Sequence, residues 1–304
     1  MKSKKIFFIF FFIILMMNIE ASEINYEEIN IKCPHRNIKF ANELGRILYE
    51  NIETFQKRIG SYPDLPVKII IAKDNEEYAN FTSKNKGIIQ FSEAVYNFRN
   101  KTIYARNPKN LKNITRLHTI LLHEYIHHFV HHHWKNAPLW FHEGMAVYFS
   151  EDLSYERELN FIKDFILGNS LPLKKMKFIY PDQMIKWESF YAKSALAIKY
   201  IDTKKKKEFY DLWDISEFDK NFDSAFLKSF YFTTNDFSNF FEEYAKTHFR
   251  GEMLLASSTI IWAFFPLIFL IGLIRRKIKN RRIEKNWVKI ENNENSLKKD
   301  EITN

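Results

Sequence analysis

Cysteine is almost missing from this 304-residue chain. Cys33 stands alone, so no disulfide can form within the chain, and it lies too far past the N-terminal apolar run to be a lipid-attachment cysteine. Glycine and proline are scarce, at seven and eight residues, which excludes collagen-like repeats and long Gly- or Pro-rich linkers. No internal repeat is visible. The central part also lacks any strong excess of one charge. Of the formal net charge of +9, residues 1–21 hold +2 and residues 275–304 hold +5, so the basic balance belongs to the two ends and gives no nucleic-acid signal. Charge is wholly absent from Met253 to Ile274.

The two ends read as membrane signals. Lys2, Lys4 and Lys5 precede an apolar run from Ile6 to Met17 and then Ala21, the pattern of a signal peptide over residues 1–21 with cleavage after Ala21. Left uncleaved, the same run is an anchor. The uncharged stretch 253–274 is rich in Leu, Ile and Phe and is followed at once by Arg275, Arg276 and Lys277. At about 1.5 Å per residue it is long enough for a transmembrane helix in contact with membrane lipid, and the positive-inside rule puts residues 275–304 in the cytoplasm as a basic tail. Residues 22–252 are then an ectodomain outside the cytoplasm on a single-pass protein. Beyond Asn286 the tail is polar and rich in Asn and Lys, and it reads as irregular.

Between these ends the periodicity predicts an α+β fold, with a small mixed sheet and its helices followed by a mainly helical half. Ile29–Lys32, Val67–Ala72, Gly87–Phe91 and Thr102–Arg106 read as strands. Ala41, Leu44, Leu48, Ile52, Phe55 and Ile59 recur at three- and four-residue steps and predict a helix stopped by Gly60. A helix is expected from about Leu111 to His133. Others follow at about 139–152, 154–168, 183–203, 205–214, 221–231 and 235–249.

One stretch carries chemistry. His123, Glu124 and His127 form H-E-x-x-H. Residues four apart share a helix face, so His123 and His127 can offer two imidazoles to one metal ion while Glu124 sits beside them as a base. A catalytic zinc takes three protein ligands and keeps a fourth position open. Glu143, sixteen positions after His127, supplies a third ligand from the next helix. Flanking Ile120, Leu121 and Ile126 make the first helix apolar enough to be buried, where unsatisfied polar groups are costly. Read as core residues, the two histidines would simply be hydrogen-bonded. His128, His131, His132 and His133 read most simply as a polar, solvated helix end that suits the helix dipole, and otherwise as a second metal site. His142 is placed to line the cleft and His118 to pack.

LLHEYIHHF at 121–129 and LWFHEGMAVYFSE at 139–151 resemble the gluzincin metallopeptidases, and within them the bacterial peptidase MA-like domain of the aminopeptidase N/thermolysin-like superfamily. The second segment is similar to the W-x-x-E-G-x-A-x-Y pattern of aminopeptidase N-type enzymes. Phe190–Ala195, FYAKSA, is similar to their Y-x-K-G/S-A segment. The resemblance covers about residues 38–250. It implies a thermolysin-like zincin core, Zn2+ held by His123, His127 and Glu143, Glu124 as general base, Tyr191 as oxyanion donor, and a peptide or protein substrate. Two departures stand out. Val147 replaces a carboxylate that often follows the third ligand by one turn, and the G-x-M-E-N segment that grips a free amine is absent, with GIIQFSE at 87–93 near its place. The resemblance therefore implies an endopeptidase. The rival reading is a non-catalytic, zinc-stabilised binding or scaffolding ectodomain.

Overall fold

The computed structural model describes the backbone of residues 21–83, 92–110, 116–181, 183 and 186–302; the side chains of residues 83, 110, 166, 250–264 and 287–302 lie outside the description. The fold is mixed α+β, with a five-stranded sheet and nine α-helices among the described residues. Strands β1 (Ala21–Tyr26), β2 (Ile29–Pro34), β3 (Val67–Ile71), β4 (Ala94–Asn97) and β5 (Thr102–Ala105) lie in the order β1-β2-β3-β5-β4. The three inner strands run parallel, and the edge strands β1 and β4 are antiparallel to their neighbours. Ile31, Ile69 and Ile103 align across the inner strands and are all fully buried. Burial in β2 and β3 alternates along the chain as the pleat requires.

Helix α1 (Ile38–Ile59) makes the crossover between parallel β2 and β3. Its stripe Ala41, Leu44, Leu48, Ile52, Phe55 and Ile59 is buried as the spacing predicts, and it ends on Gly60, whose φ of 79° is the left-handed cap position that glycine takes without strain. Helix α2 (Asn75–Ser83) starts at Asp74, whose side chain accepts from Glu77 N–H at 2.9 Å. Cys33 is buried in β2, an apolar core residue in effect.

The sequence expectation misses β1 and β4. The strand expected at Gly87–Phe91 and the start of the helix expected from Leu111 fall outside the described residues, as does the leader segment up to residue 20. The helical half follows the expected order: α3 (Leu117–His133), α4 (Leu139–Phe149), α5 (Tyr155–Ile166), α6 (Trp187–Lys204), α7 (Lys206–Ile215) and α8 (Phe222–Phe230). Helix α1 packs on β1, β2 and α3. Helix α3 lies against β4 and α4, and α4 in turn against α6.

The chain divides into two compact units at Tyr244/Ala245. Helix α9 starts at Thr234 and its backbone stays helical to Ile302, past the point where the composition suggests an irregular tail. No glycine or proline, the strongest helix breakers, follows Gly272. Among the described residues no helix is long and apolar enough to cross a membrane; residues 253–264, the first part of the expected span, have side chains outside the description.

Candidate metal centre

Most of α3 and nearly all of α4 are buried, the pattern of helices packed within a core. A short turn joins them: Trp134 N–H closes α3 on Val130 O at 2.8 Å, and Pro138 O accepts from Phe141 and His142 N–H as α4 begins. This helical hairpin brings together the three residues that the sequence spacing selects. His123 Nε2 and His127 Nε2 stand 3.2 Å apart, and Glu143 Oε2 lies 3.7 Å from the first and 3.6 Å from the second. They are the only group of metal-ligating side chains found among the described residues.

The three donors could hold a metal ion. Two tetrahedral ligands at about 2.0–2.1 Å from a zinc ion are about 3.3–3.4 Å apart, close to the three separations seen here. The histidines are also in the protonation state that ligation needs. Burial, aided by the nearby Arg157 charge, lowers His123 to about 3, and burial with the neighbouring His123 holds His127 well below the usual histidine range. One detail departs from the usual pattern. Metal-bound imidazoles normally donate their second N–H to an oxygen, yet His127 Nδ1 is buried without a hydrogen-bond partner among the described residues.

Glu124 is held apart from the ligands by the sheet. Its Oε2 accepts from the backbone N–H of Tyr96, on edge strand β4, at 2.6 Å. Burial raises its carboxyl to about 8; the Tyr96 N–H opposes that rise and the charge of Glu143 adds to it. Glu143 is raised to about 7 by burial, against the pull of a hydrogen bond from Tyr180. The Tyr180 hydroxyl donates to Glu143 Oε1, the carboxylate oxygen turned away from the histidines. Nothing in the residue spacing marks Tyr180, which stands in a break between helices. Val147, one turn beyond Glu143, is buried and apolar.

Tyr191, on α6, faces the same centre. Burial and the charges of Glu143 and Glu124 push its phenol well above the ordinary tyrosine value, and its hydroxyl has no hydrogen-bond partner among the described residues. Helices α6 and α4 meet at Gly144, where an added Cβ would stand 2.3 Å from Ser194 O. Only glycine allows that approach. Lys193, two residues after Tyr191, is buried, with Nζ 2.6 Å from Glu242 and donating to Leu171 O at 2.6 Å. A cleft of about 570 Å³ opens beside α3, lined by Thr119, Asp152, Arg157 and Glu188 among others. Arg157 bonds to both Asp152 and Glu188.

The remaining histidines divide. His128 is buried between the Tyr96 hydroxyl (2.7 Å) and Pro66 O (3.3 Å), and His133 between Ser216 Oγ (2.6 Å) and Ser61 Oγ (3.4 Å). Neither belongs to a solvated helix end, because β4 packs over His128 and α7 over His133. His132 is exposed as expected, and His131 packs edge-on against Phe98. His142 is buried 5.9 Å from the His127 ring. No protein-family model and no curated protein matches the chain, so what the site can do is read from its own atoms.

Proposed function

We propose that this chain is a zinc-dependent peptidase of the gluzincin kind, with a thermolysin-like, peptidase MA-like core, acting within peptide or protein chains. The observation that carries the proposal is the triangle of His123, His127 and Glu143 donor atoms with Glu124 fixed next to it and not part of it. A purely structural zinc takes four protein ligands and needs no neighbouring base.

Zinc held there supplies a Lewis acid that polarises a carbonyl and makes water easier to deprotonate. Glu124 accepts the proton of the attacking water and passes it to the amine nitrogen as the C–N bond breaks. A buried carboxyl fixed by a backbone N–H beside the three donors is placed for both halves of that transfer. The Tyr96 N–H fixes Oε2, so the base presents its other oxygen. Tyr191 donates a hydrogen bond to the oxyanion that develops on the scissile carbonyl. A membrane setting, with residues 22–252 outside the cytoplasm, is part of the proposal. It is supported by the uncharged run 253–274 ahead of a cationic segment, and by the exposed apolar series from Phe265 to Ile274.

The test is Glu124→Gln in the full chain, assayed on a mixed peptide library with zinc content measured in parallel. Hydrolysis is expected to vanish while one zinc per chain is retained. Retained hydrolysis removes the assigned base, and a wild-type chain that binds zinc but cleaves nothing favours the scaffolding ectodomain.

A further inference from the structure

The two oxygens of Glu143 have different partners. Oε2 lies 3.7 and 3.6 Å from the two imidazole nitrogens, whereas Oε1 accepts from the Tyr180 hydroxyl. The whole side chain is buried, so no water replaces a lost partner without cost. Tyr180 is itself held in place. Its ring stacks on Trp187 at 5.3 Å and an angle of 25° and touches Phe190 at 5.6 Å, and Trp187 Nε1 donates to the carbonyl of the next residue, Pro181, at 2.7 Å. The first turn of α6 thus clamps the segment that delivers the phenol. On α4, by contrast, the position one turn beyond Glu143 is the apolar Val147, which offers that carboxylate no hydrogen bond.

We propose that Tyr180 is the positioning residue of the metal centre: it occupies Glu143 Oε1, leaves Oε2 as the single ligating oxygen, and so sets both zinc affinity and the number of protein donors. A Glu143 free to turn could offer both oxygens and close a position that chemistry needs open. The arrangement also separates two phenols that lie near one another. Tyr180 is committed to a ligand, and Tyr191, which bonds to nothing among the described residues, is left for substrate. This inference rests on the metal-centre reading and not on peptidase activity.

The experiment compares the full-length wild type, Tyr180→Phe and Tyr191→Phe, with zinc affinity measured by chelator competition and the visible absorption spectrum recorded after cobalt substitution. Phenylalanine keeps the ring and both of its contacts, so the clamp survives. Tyr180→Phe is expected to bind zinc about 10- to 100-fold more weakly and to show an altered cobalt spectrum. Tyr191→Phe is expected to match wild type in both while losing turnover. Wild-type zinc affinity and cobalt spectrum in Tyr180→Phe overturn the proposal. With turnover lost, that result would make Tyr180 a substrate-contacting group; with turnover kept, a packing residue. A wild type that fails to bind zinc removes the metal centre and this inference together, and one that binds zinc without cleaving peptides removes only the peptidase reading.

Discussion

Gly144→Ala sets a small gain against a large steric loss at the join between the helices that carry Glu143 and Tyr191. In an isolated helix, alanine is favoured over glycine by about 1 kcal/mol. Here the new methyl would sit 2.3 Å from Ser194 O and 2.7 Å from Ile198 Cγ1. The nearer obstacle is a backbone carbonyl inside α6, which cannot swing aside as a side chain can, so the two helices must separate. Overpacking of this kind costs about 1–3 kcal/mol and sometimes more. A rigid obstacle places it at or above the upper end, and the net loss is about 2 kcal/mol after the helix gain. In a unit of this size, that lowers the unfolding midpoint by about 4–8 °C. The separation also carries Tyr191 away from Glu143, so turnover is expected to fall further than zinc affinity. Gly45→Ala in α1 is the comparison. Its methyl would meet only side chains, Tyr26 Cβ at 3.3 Å and Ile31 Cδ1 at 3.4 Å, and its stability is expected to stay within about 1 kcal/mol of wild type. Differential scanning calorimetry of the three full-length proteins decides the matter. A Gly144→Ala midpoint equal to that of Gly45→Ala, or above wild type, would refute the close approach of α4 and α6.

Two further outcomes follow from buried groups. His133 is lowered to about 3 by burial, with help from the His132 and Lys220 charges, whereas an unfolded histidine titrates near about 6.5. The unfolded chain therefore takes up this proton first on acidification. The associated stability is intact above about pH 6.5 and is lost toward pH 3, at up to about 1.4 kcal/mol per pH unit. Urea midpoints at pH 7 and pH 5 should converge in His133→Gln relative to wild type, and an unchanged pH slope would exclude His133 as a source. Lys193→Met removes a buried ammonium from Glu242 and Leu171 O. Breaking such a pair costs about 3–5 kcal/mol, and the lower figure applies because Glu242 keeps some solvent contact. A loss below about 1 kcal/mol in chemical denaturation would show the pair to be dispensable.

The parts legible in the sequence were those encoded within one helix turn or one hairpin. The i, i+4 spacing of His123 and His127 is helix geometry, and Glu143 follows within the same helical hairpin. The stripe of α1 and its glycine stop were legible for the same reason. The tethers were not. Tyr96 reaches Glu124 through a backbone N–H, which any residue type at that position would supply, so its identity carries no signal. Tyr180 reaches Glu143 across 37 positions from a stretch that reads as a helix break. Strand β1 is half-exposed along its length and carries little of the apolar run by which strands are recognised. His128 and His133 looked like members of a solvated cluster because burial is set by what packs on α3, and those neighbours come from distant parts of the chain.

The three candidate metal ligands all come from one helical hairpin, whereas the partners of Glu124 and Glu143 come from β4 and from the segment before α6. Under the proposed function, holding an ion and using it thus draw on different parts of the fold. On that reading, α3 and α4 alone would bring the three donors together, yet Glu124 would lack its Tyr96 tether, Glu143 its Tyr180 partner and the centre its Tyr191. Under the proposed hydrolytic function, a copy in which these contacts are not yet made would be a poor catalyst, and its neighbours would be spared until they form.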